Sequence, residues 1–262
     1  MQDAADLEWL DLGDHRLEAR WYGAGDGPVL VFLHEGLGCL DHWRDFPAAL
    51  AQATGLRALV YSRRGYGRSD ACELPRPLDY MQREGERELP RALSAAGVNE
   101  ALLVGHSDGA SIAIVYAGSA PLPGLRGLVL EAPHVFTEPS GLEAIARARE
   151  VYDHGDLRRR LLRYHGDNVD CAFRGWNEAW LDPGFKAWNI ESYLPGIRVP
   201  VLVVQGLDDP YGTLKQVDAI AHQSGTPVAA ELLPECGHSP HRDQRDETLA
   251  VMSGFIRGLL EG

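Results

Sequence analysis

The chain has 262 residues, 45% of them hydrophobic, and its 38 Asp and Glu outweigh 25 Lys and Arg for a formal net charge of −13. That length suits a single α/β domain with a sizeable core, and the composition is neither fibrous nor disordered. The acidic surplus argues against nucleic acid and anionic membrane surfaces as partners and speaks for solubility.

The opening stretch, MQDAADLEWL, has no basic segment followed by an apolar one, so no secretory leader is expected. No apolar run is long enough to span a bilayer, and a cytoplasmic protein is expected. Two alternating segments, residues 7–12 and 15–22, suit an antiparallel pair at a sheet edge, and GAGDGP then turns the chain. Short apolar runs follow at wide spacing: VLVFL (29–33), ALVY (58–61), ALLV (101–104), LVL (128–130) and VLVV (201–204). Continuous runs of this kind are expected of strands covered on both faces, as in a parallel sheet. Helical stretches lie between them, over residues 41–54 and 79–96. The alternation predicts an α/β fold, doubly wound around a mostly parallel sheet.

The rhythm breaks once. After LVLEAPH (128–134) no apolar strand is read until Val199. The interval is first helix-like and polar, then aromatic, with Trp176, Trp180 and Trp188. It predicts a helical cap inserted at residues 135–195, between core segments 1–134 and 196–262. Beyond it the pattern predicts a helix from Thr213, a strand over residues 228–233 and a final amphipathic helix from about Asp246. The cysteines, Cys39, Cys72, Cys171 and Cys236, are far apart, none spaced for a zinc site or a redox pair, and reduced thiols are expected.

One stretch carries chemistry. In ALLVGHSDGA (101–110) an apolar strand runs into Gly105-x-Ser107-x-Gly109 and leaves as a helix. The pattern is that of a nucleophile elbow. Glycines flank the serine because side chains there would collide with the neighbouring strand and helix. The helix N-terminus under the serine favours a forming anion. Register selects Ser107 over Asp108, whose framing positions would be His106 and Ala110. A serine nucleophile needs a base, and the base an orienting acid. VLVVQGLDDP offers Asp208 and Asp209 after one late strand, and ELLPECGHSPH offers His238 after the next. These loops fall at the carboxyl ends of predicted strands, where ligand sites of open α/β sheets lie.

Together these stretches resemble the α/β-hydrolase superfamily over essentially the whole chain. The resemblance is carried by FLHEGLG (32–38), YSRRGYGRSD (61–70), GHSDGA (105–110), VQGLDDP (204–210) and CGHSPH (236–241). It implies Ser107 as nucleophile, His238 as base and Asp209 as orienting acid, with Asp208 the second choice. It implies an oxyanion hole made by the backbone N–H groups of Asp108 and Gly36. Glu35 stands where the family more often has glycine, a departure that spares the backbone donor. His34 and His106 read as structural, His134 as a lesser site candidate, and Arg63 and Arg64 as a packing motif able to balance nearby acids. The implied activity is hydrolysis of a small carboxylic ester through an acyl-enzyme, with a small-molecule substrate; no Gly-rich phosphate loop or metal-spaced His/Cys cluster appears, so no cofactor and no metal are expected.

Several rivals share the fold. Carbon–carbon bond hydrolases typically carry a tryptophan after the Gly-His pair, where Ser239 stands. Thioesterases, cofactor-free haloperoxidases and aminopeptidases related to prolyl iminopeptidase stay open, as does a receptor with little turnover. Candidate substrate contacts are Trp176 and Trp180 from the cap and two acids, Glu35 and Asp108. The Asp108 carboxylate has two readings: it answers the helix dipole, or it faces the pocket and binds a cationic part of the substrate.

Overall fold

The computed structural model describes residues 7–261. Residues 1–6, part of the stretch read as lacking a leader, and residue 262 lie outside the described residues. The chain builds an eight-stranded sheet of order β1-β2-β4-β3-β5-β6-β7-β8. β1 (Glu8–Asp11) and β2 (Arg16–Tyr22) form the antiparallel edge read from their alternation, and β2 pairs antiparallel with β4 (Ala58–Tyr61). From β4 onward through β3 (Val29–Leu33), β5 (Ala101–His106), β6 (Leu125–Glu131), β7 (Val201–Gly206) and β8 (Val228–Leu233) every pairing is parallel. All residues of β3, β5 and β7 are buried. That explains their unbroken apolar runs, because parallel strands are covered by helices on both faces.

Successive residues of a strand serve opposite cores. Val31, Leu33 and Leu103 belong to one cluster, and Leu30, Phe32, Leu102 and Val104 to the other. The second face is closed by α1 (Phe46–Thr54) and the C-terminal helix, and the first by the helix that follows Ser107.

Two helices differ from the expected spans. The stretch 41–54 is a short 3-10 turn, Leu40–Trp43, then α1, divided at Arg44, whose φ of 54° no helix tolerates. The stretch 79–96 is α2 (Tyr80–Arg83), a wider π turn over Glu84–Glu88, and α3 (Leu89–Ala95). Pro90 enters α3 at its first turn. It has no N–H for the carbonyl four residues back, and the ladder widens just before it.

α4 (Asp108–Gly118) follows β5 directly. Between β6 and β7 come α5 (Pro139–His154), α6 (Leu157–His165) and α7 (Val169–Leu181), then 3-10 turns ending at Gly196. α8 (Leu214–Gln223) lies between β7 and β8, capped by the Thr213 hydroxyl, which accepts from the Lys215 N–H at 3.3 Å. α9 (Pro240–Asp243) and α10 (Arg245–Glu261) close the chain. Among the described residues no helix is long and apolar enough to cross a membrane.

Candidate active site

Ser107 sits between the end of β5 and the start of α4 with φ 54° and ψ −118°, a conformation that side chains rarely adopt. The glycines around it make the turn possible. A Cβ at Gly109 would run into the Leu33 carbonyl, and one at Gly105 would meet the backbone of Gly109 and Ala110. Strand and helix therefore pack backbone to backbone, and the serine is lifted to the carboxyl edge of the sheet.

The loop after β7 delivers Asp209, not Asp208, to His238. The His238 Nδ1 lies 2.8 and 2.9 Å from the two Asp209 oxygens. Asp208 is exposed, its N–H spent on the Cys236 carbonyl at 2.9 Å. Asp209 is fixed from two further sides, accepting from Gln205 Nε2 at 2.9 Å and from the Tyr211 N–H at 2.8 Å. Burial resists its charge, but the neighbouring imidazole and these donors draw its pKa down to about 2. Burial likewise disfavours the His238 imidazolium; Asp209 outweighs it, with smaller help from Glu35 and Asp108, and the His238 pKa is raised. The Asp209 side chain is 1% exposed and that of His238 16%, which leaves the imidazole open towards the cavity and the acid dry.

The histidine loop rests on a buried polar layer. His106 Nε2 donates to the His238 carbonyl at 2.6 Å. Burial, then the nearby His238 and His241, hold His106 neutral with a pKa of about 4. His241 Nδ1 pairs with Glu131 Oε2 at 2.6 Å. Ligand atoms of His106, Glu131 and His241 lie within 4.8 Å of one another, the spacing a metal ion would need, yet each of these side chains already has a protein partner. His34 is also spent on the fold: its Nδ1 donates to the Glu35 carbonyl at 2.7 Å and its Nε2 accepts the Arg63 N–H at 3.0 Å.

Gly36 and Asp108 lie on the rim of one cavity together with Ser107 and His238. Among the described residues, neither the Gly36 nor the Asp108 N–H is taken by a protein acceptor. Gly36 has no room for a side chain, because a Cβ there would enter the Trp176 indole. The Glu35 carboxylate folds back on its own loop, accepting the Leu37 N–H at 2.9 Å with His42 Nδ1 3.8 Å away.

Asp108 is fully buried. Its Oδ2 accepts from the Tyr80 hydroxyl, which itself accepts from Trp180 Nε1 at 3.0 Å. The side chain makes no capping bond at the start of α4, and its Oδ1 has no protein partner. Burial raises the Asp108 pKa, opposed chiefly by the Arg63 guanidinium. Arg63 is itself buried and donates to the His34 and Glu35 carbonyls rather than to a carboxylate.

The cavity measures about 450 Å³. The carboxyl edge of the sheet supplies Ser107, Asp108 and His238, and the helices between β6 and β7 supply Ile145, Leu161, Trp176 and Trp180. His134 also lines it, its ring centroid 5.7 Å from that of His238, and burial pushes its pKa down to about 3.

A sequence model of the alpha/beta hydrolase family matches residues 30–251. The chain belongs to that family. It is 23% identical over 269 residues to a proline iminopeptidase of Lactobacillus helveticus, covering 87% of this chain and 90% of the relative. It is 22% identical over 291 residues to epoxide hydrolase 3 of Xenopus tropicalis, covering 95% and 77%. Among solved structures, a proline iminopeptidase of Mycobacterium smegmatis matches with a TM-score of 0.74 at 21% identity, covering 97% of this chain and 98% of that one. An esterase from Exiguobacterium antarcticum matches at 0.73 and 18% identity, covering 95% and 98%. These relatives are hydrolases of different bonds, so membership of the family supports hydrolysis and leaves the bond open.

For an α/β hydrolase, the residues that escaped the sequence reading are the supporting ones. Tyr80, which holds Asp108, lies in α2, outside every motif and 28 residues from its partner. Glu131, at the end of β6, stands in LVLEAPH as a lone acid after an apolar strand, and that is the one signal which could have drawn attention to it. Glu138 lines the cavity but is fully engaged, accepting from the Thr213 N–H and hydroxyl and from Gln216 Nε2.

Proposed function

We propose that this α/β hydrolase is a serine hydrolase that cleaves a small carboxylic ester, or a related acyl bond, through an acyl-enzyme. The observation that carries the reading is His238, paired with the buried Asp209, opening onto the same cavity as Ser107 in its strained turn. His238 takes the Ser107 proton as the oxygen attacks the acyl carbon, and the carbonyl π electrons move onto oxygen. The N–H groups of Gly36 and Asp108 face that oxyanion, and one such donor is typically worth ~3–4 kcal/mol. His238 then gives the proton to the leaving group as the acyl bond breaks. Water repeats the cycle on the acyl-enzyme and restores the serine. Asp209 holds the imidazole in the tautomer that leaves Nε2 free to accept. The helices at residues 135–195 act as a cap over the acyl or alcohol pocket, and 1–134 with 196–262 form the catalytic core.

The test is fluorophosphonate labelling combined with turnover of short p-nitrophenyl esters. The native protein is expected to label and turn over. Ser107→Ala should lose both while keeping its melting temperature, since a methyl fits the turn. Substantial turnover by that variant removes the assignment, and labelling of the native protein without turnover of any acyl substrate favours a receptor.

A second reading is favoured by one observation, the buried, unpartnered Oδ1 of Asp108, a residue of the cavity wall beside Ser107. A buried carboxylate oxygen without a donor is costly, and a substrate ammonium would satisfy it. On this reading the acyl part carries an α-amino group, as an amino-acid ester or an N-terminal residue. The similarity to proline iminopeptidases points the same way.

A further inference from the structure

Away from the cavity, two sulfurs from distant parts of the chain meet. Cys72 lies in the loop between β4 and α2, and Cys171 in the first turn of α7, 99 residues on. Their Sγ atoms are 2.7 Å apart, and both residues are half-buried. A disulfide needs about 2.05 Å, so less than an ångström of movement would close one. The Arg76 guanidinium shares the site: the space beside the Cα of Gly65 is bounded by both sulfurs and by Arg76 Nη2. Arg76 is buried, donates to the Arg64 carbonyl at 3.2 Å, and among the described residues has no carboxylate within ion-pair reach. The cluster thus holds a buried cation with no fixed anion, beside two thiols.

We propose that Cys72 and Cys171 form a redox couple, with Cys171 attacking a peroxide and Cys72 resolving it into a disulfide that ties α7 to the loop after β4. In the first step the Cys171 thiolate attacks one peroxide oxygen. An S–O bond forms, the O–O bond breaks, and the departing hydroxide takes a proton to leave as water. In the second step the Cys72 sulfur attacks the resulting sulfenic acid. The S–S bond forms, the S–O bond breaks, and the hydroxide leaves as water with the Cys72 proton. Two thiols lose two electrons, and the peroxide, reduced, becomes two waters. The division of labour follows from the surroundings. Cys171 stands in the first turn of α7, where the helix N-terminus favours an anion, with the Arg76 guanidinium beside it; the contact with Cys72 and that guanidinium also lower its pKa, so the nucleophilic thiolate forms there. The other two cysteines are buried and held as thiols, with pKa values pushed up to about 12 for Cys39 and about 11 for Cys236. The tether reaches the cavity, because α7 also carries Trp176 and Trp180, and Trp176 packs on Gly36.

The inference does not depend on which bond the enzyme cleaves. It is tested on the whole chain, fully reduced, exposed to hydrogen peroxide, quenched with N-ethylmaleimide in denaturant and mapped by mass spectrometry. The oxidised form is expected to be about 2 Da lighter before alkylation, with a Cys72–Cys171 cross-linked peptide and with Cys39 and Cys236 alkylated. Cys72→Ser, treated in the presence of dimedone, should carry the adduct on Cys171. Cys171→Ser should give neither disulfide nor adduct. Closing so long a loop should raise the melting temperature of the oxidised protein by about 5 °C over its reduced form. Equal alkylation of all four cysteines after peroxide, a disulfide through Cys39 or Cys236, or dimedone on Cys72 in Cys171→Ser would overturn the couple. A cross-link with no rise in melting temperature would overturn the tether.

Discussion

Two carboxylates that look alike in the sequence have different surroundings. Asp209 has three donors, one of them the His238 imidazole; Asp108 has one donor and a bare oxygen. For Asp209 the consequence is a pH dependence. On the proposed mechanism neutral imidazole is the form that accepts the Ser107 proton, and the His238 pKa is raised, so kcat/KM should fall as pH drops through an apparent pKa above that of a free histidine. Asp209→Asn should cut kcat by about 10⁴-fold, as for other triads that lose this acid, and move that limb to lower pH. Asp208→Asn should leave both unchanged. Rate profiles of the two variants check this, and the reverse ranking would transfer the role to Asp208. For Asp108 the consequence concerns specificity. Asp108→Asn keeps the shape and the backbone N–H, so neutral esters should turn over at the native rate or faster. α-Amino esters should lose about 10-fold or more in kcat/KM, the order expected for a lost charge-assisted hydrogen bond. Parallel loss on both classes would show that the carboxylate supports the turn rather than the substrate.

At the scale of elements, α7 does two jobs with one stripe of aromatic residues. Trp180 points its indole N–H at Tyr80 and packs against Phe185 and Trp188, while Trp176 lies over the Gly36 loop. Both face the cavity. The two replacements should therefore differ. Trp176→Ala empties space beside the Gly36 loop and, on the proposed function, should shift the preferred acyl chain to longer esters with little change in melting temperature. Trp180→Ala removes a core aromatic and the donor to Tyr80, and should cost about 3–5 kcal/mol of stability. Chain-length profiles with p-nitrophenyl esters and urea midpoints separate the two outcomes. A uniform rate loss in Trp176→Ala without any change of profile would mean that the ring only packs.

For the molecule as a whole, β5 is the central beam. Leu103 faces one core and Val104 the other, and the strand ends in the turn that carries Ser107. Leu103→Ala is expected to cost about 2–5 kcal/mol, because its cavity cannot collapse between a sheet and α4. The remaining folded molecules should keep kcat, since the turn is set by backbone packing. Leu260→Ala, at a position 44% exposed in α10, should stay within about 0.5 kcal/mol. Denaturant titration of both variants, with activity measured per folded molecule, tests this. Equal costs would mean that the load is not carried by the sheet.

What the residues determined alone was local and periodic. Uninterrupted apolar runs marked β3, β5 and β7, because burial on both faces leaves no room for polar alternation. The glycines at 105 and 109 marked Ser107, because the turn excludes side chains at those two places. Asp209 was legible only with the family resemblance, since two adjacent acids on a loop are indistinguishable until a backbone N–H and Gln205 orient one of them. The tertiary structure alone decided which groups meet across the chain: Tyr80 with Asp108, Glu131 with His241, and Cys72 with Cys171. None of these pairs lies on one element or within one motif. The sheet order and the packing of the insert bring them together, and a long-range contact of that kind leaves no periodicity for a sequence to display.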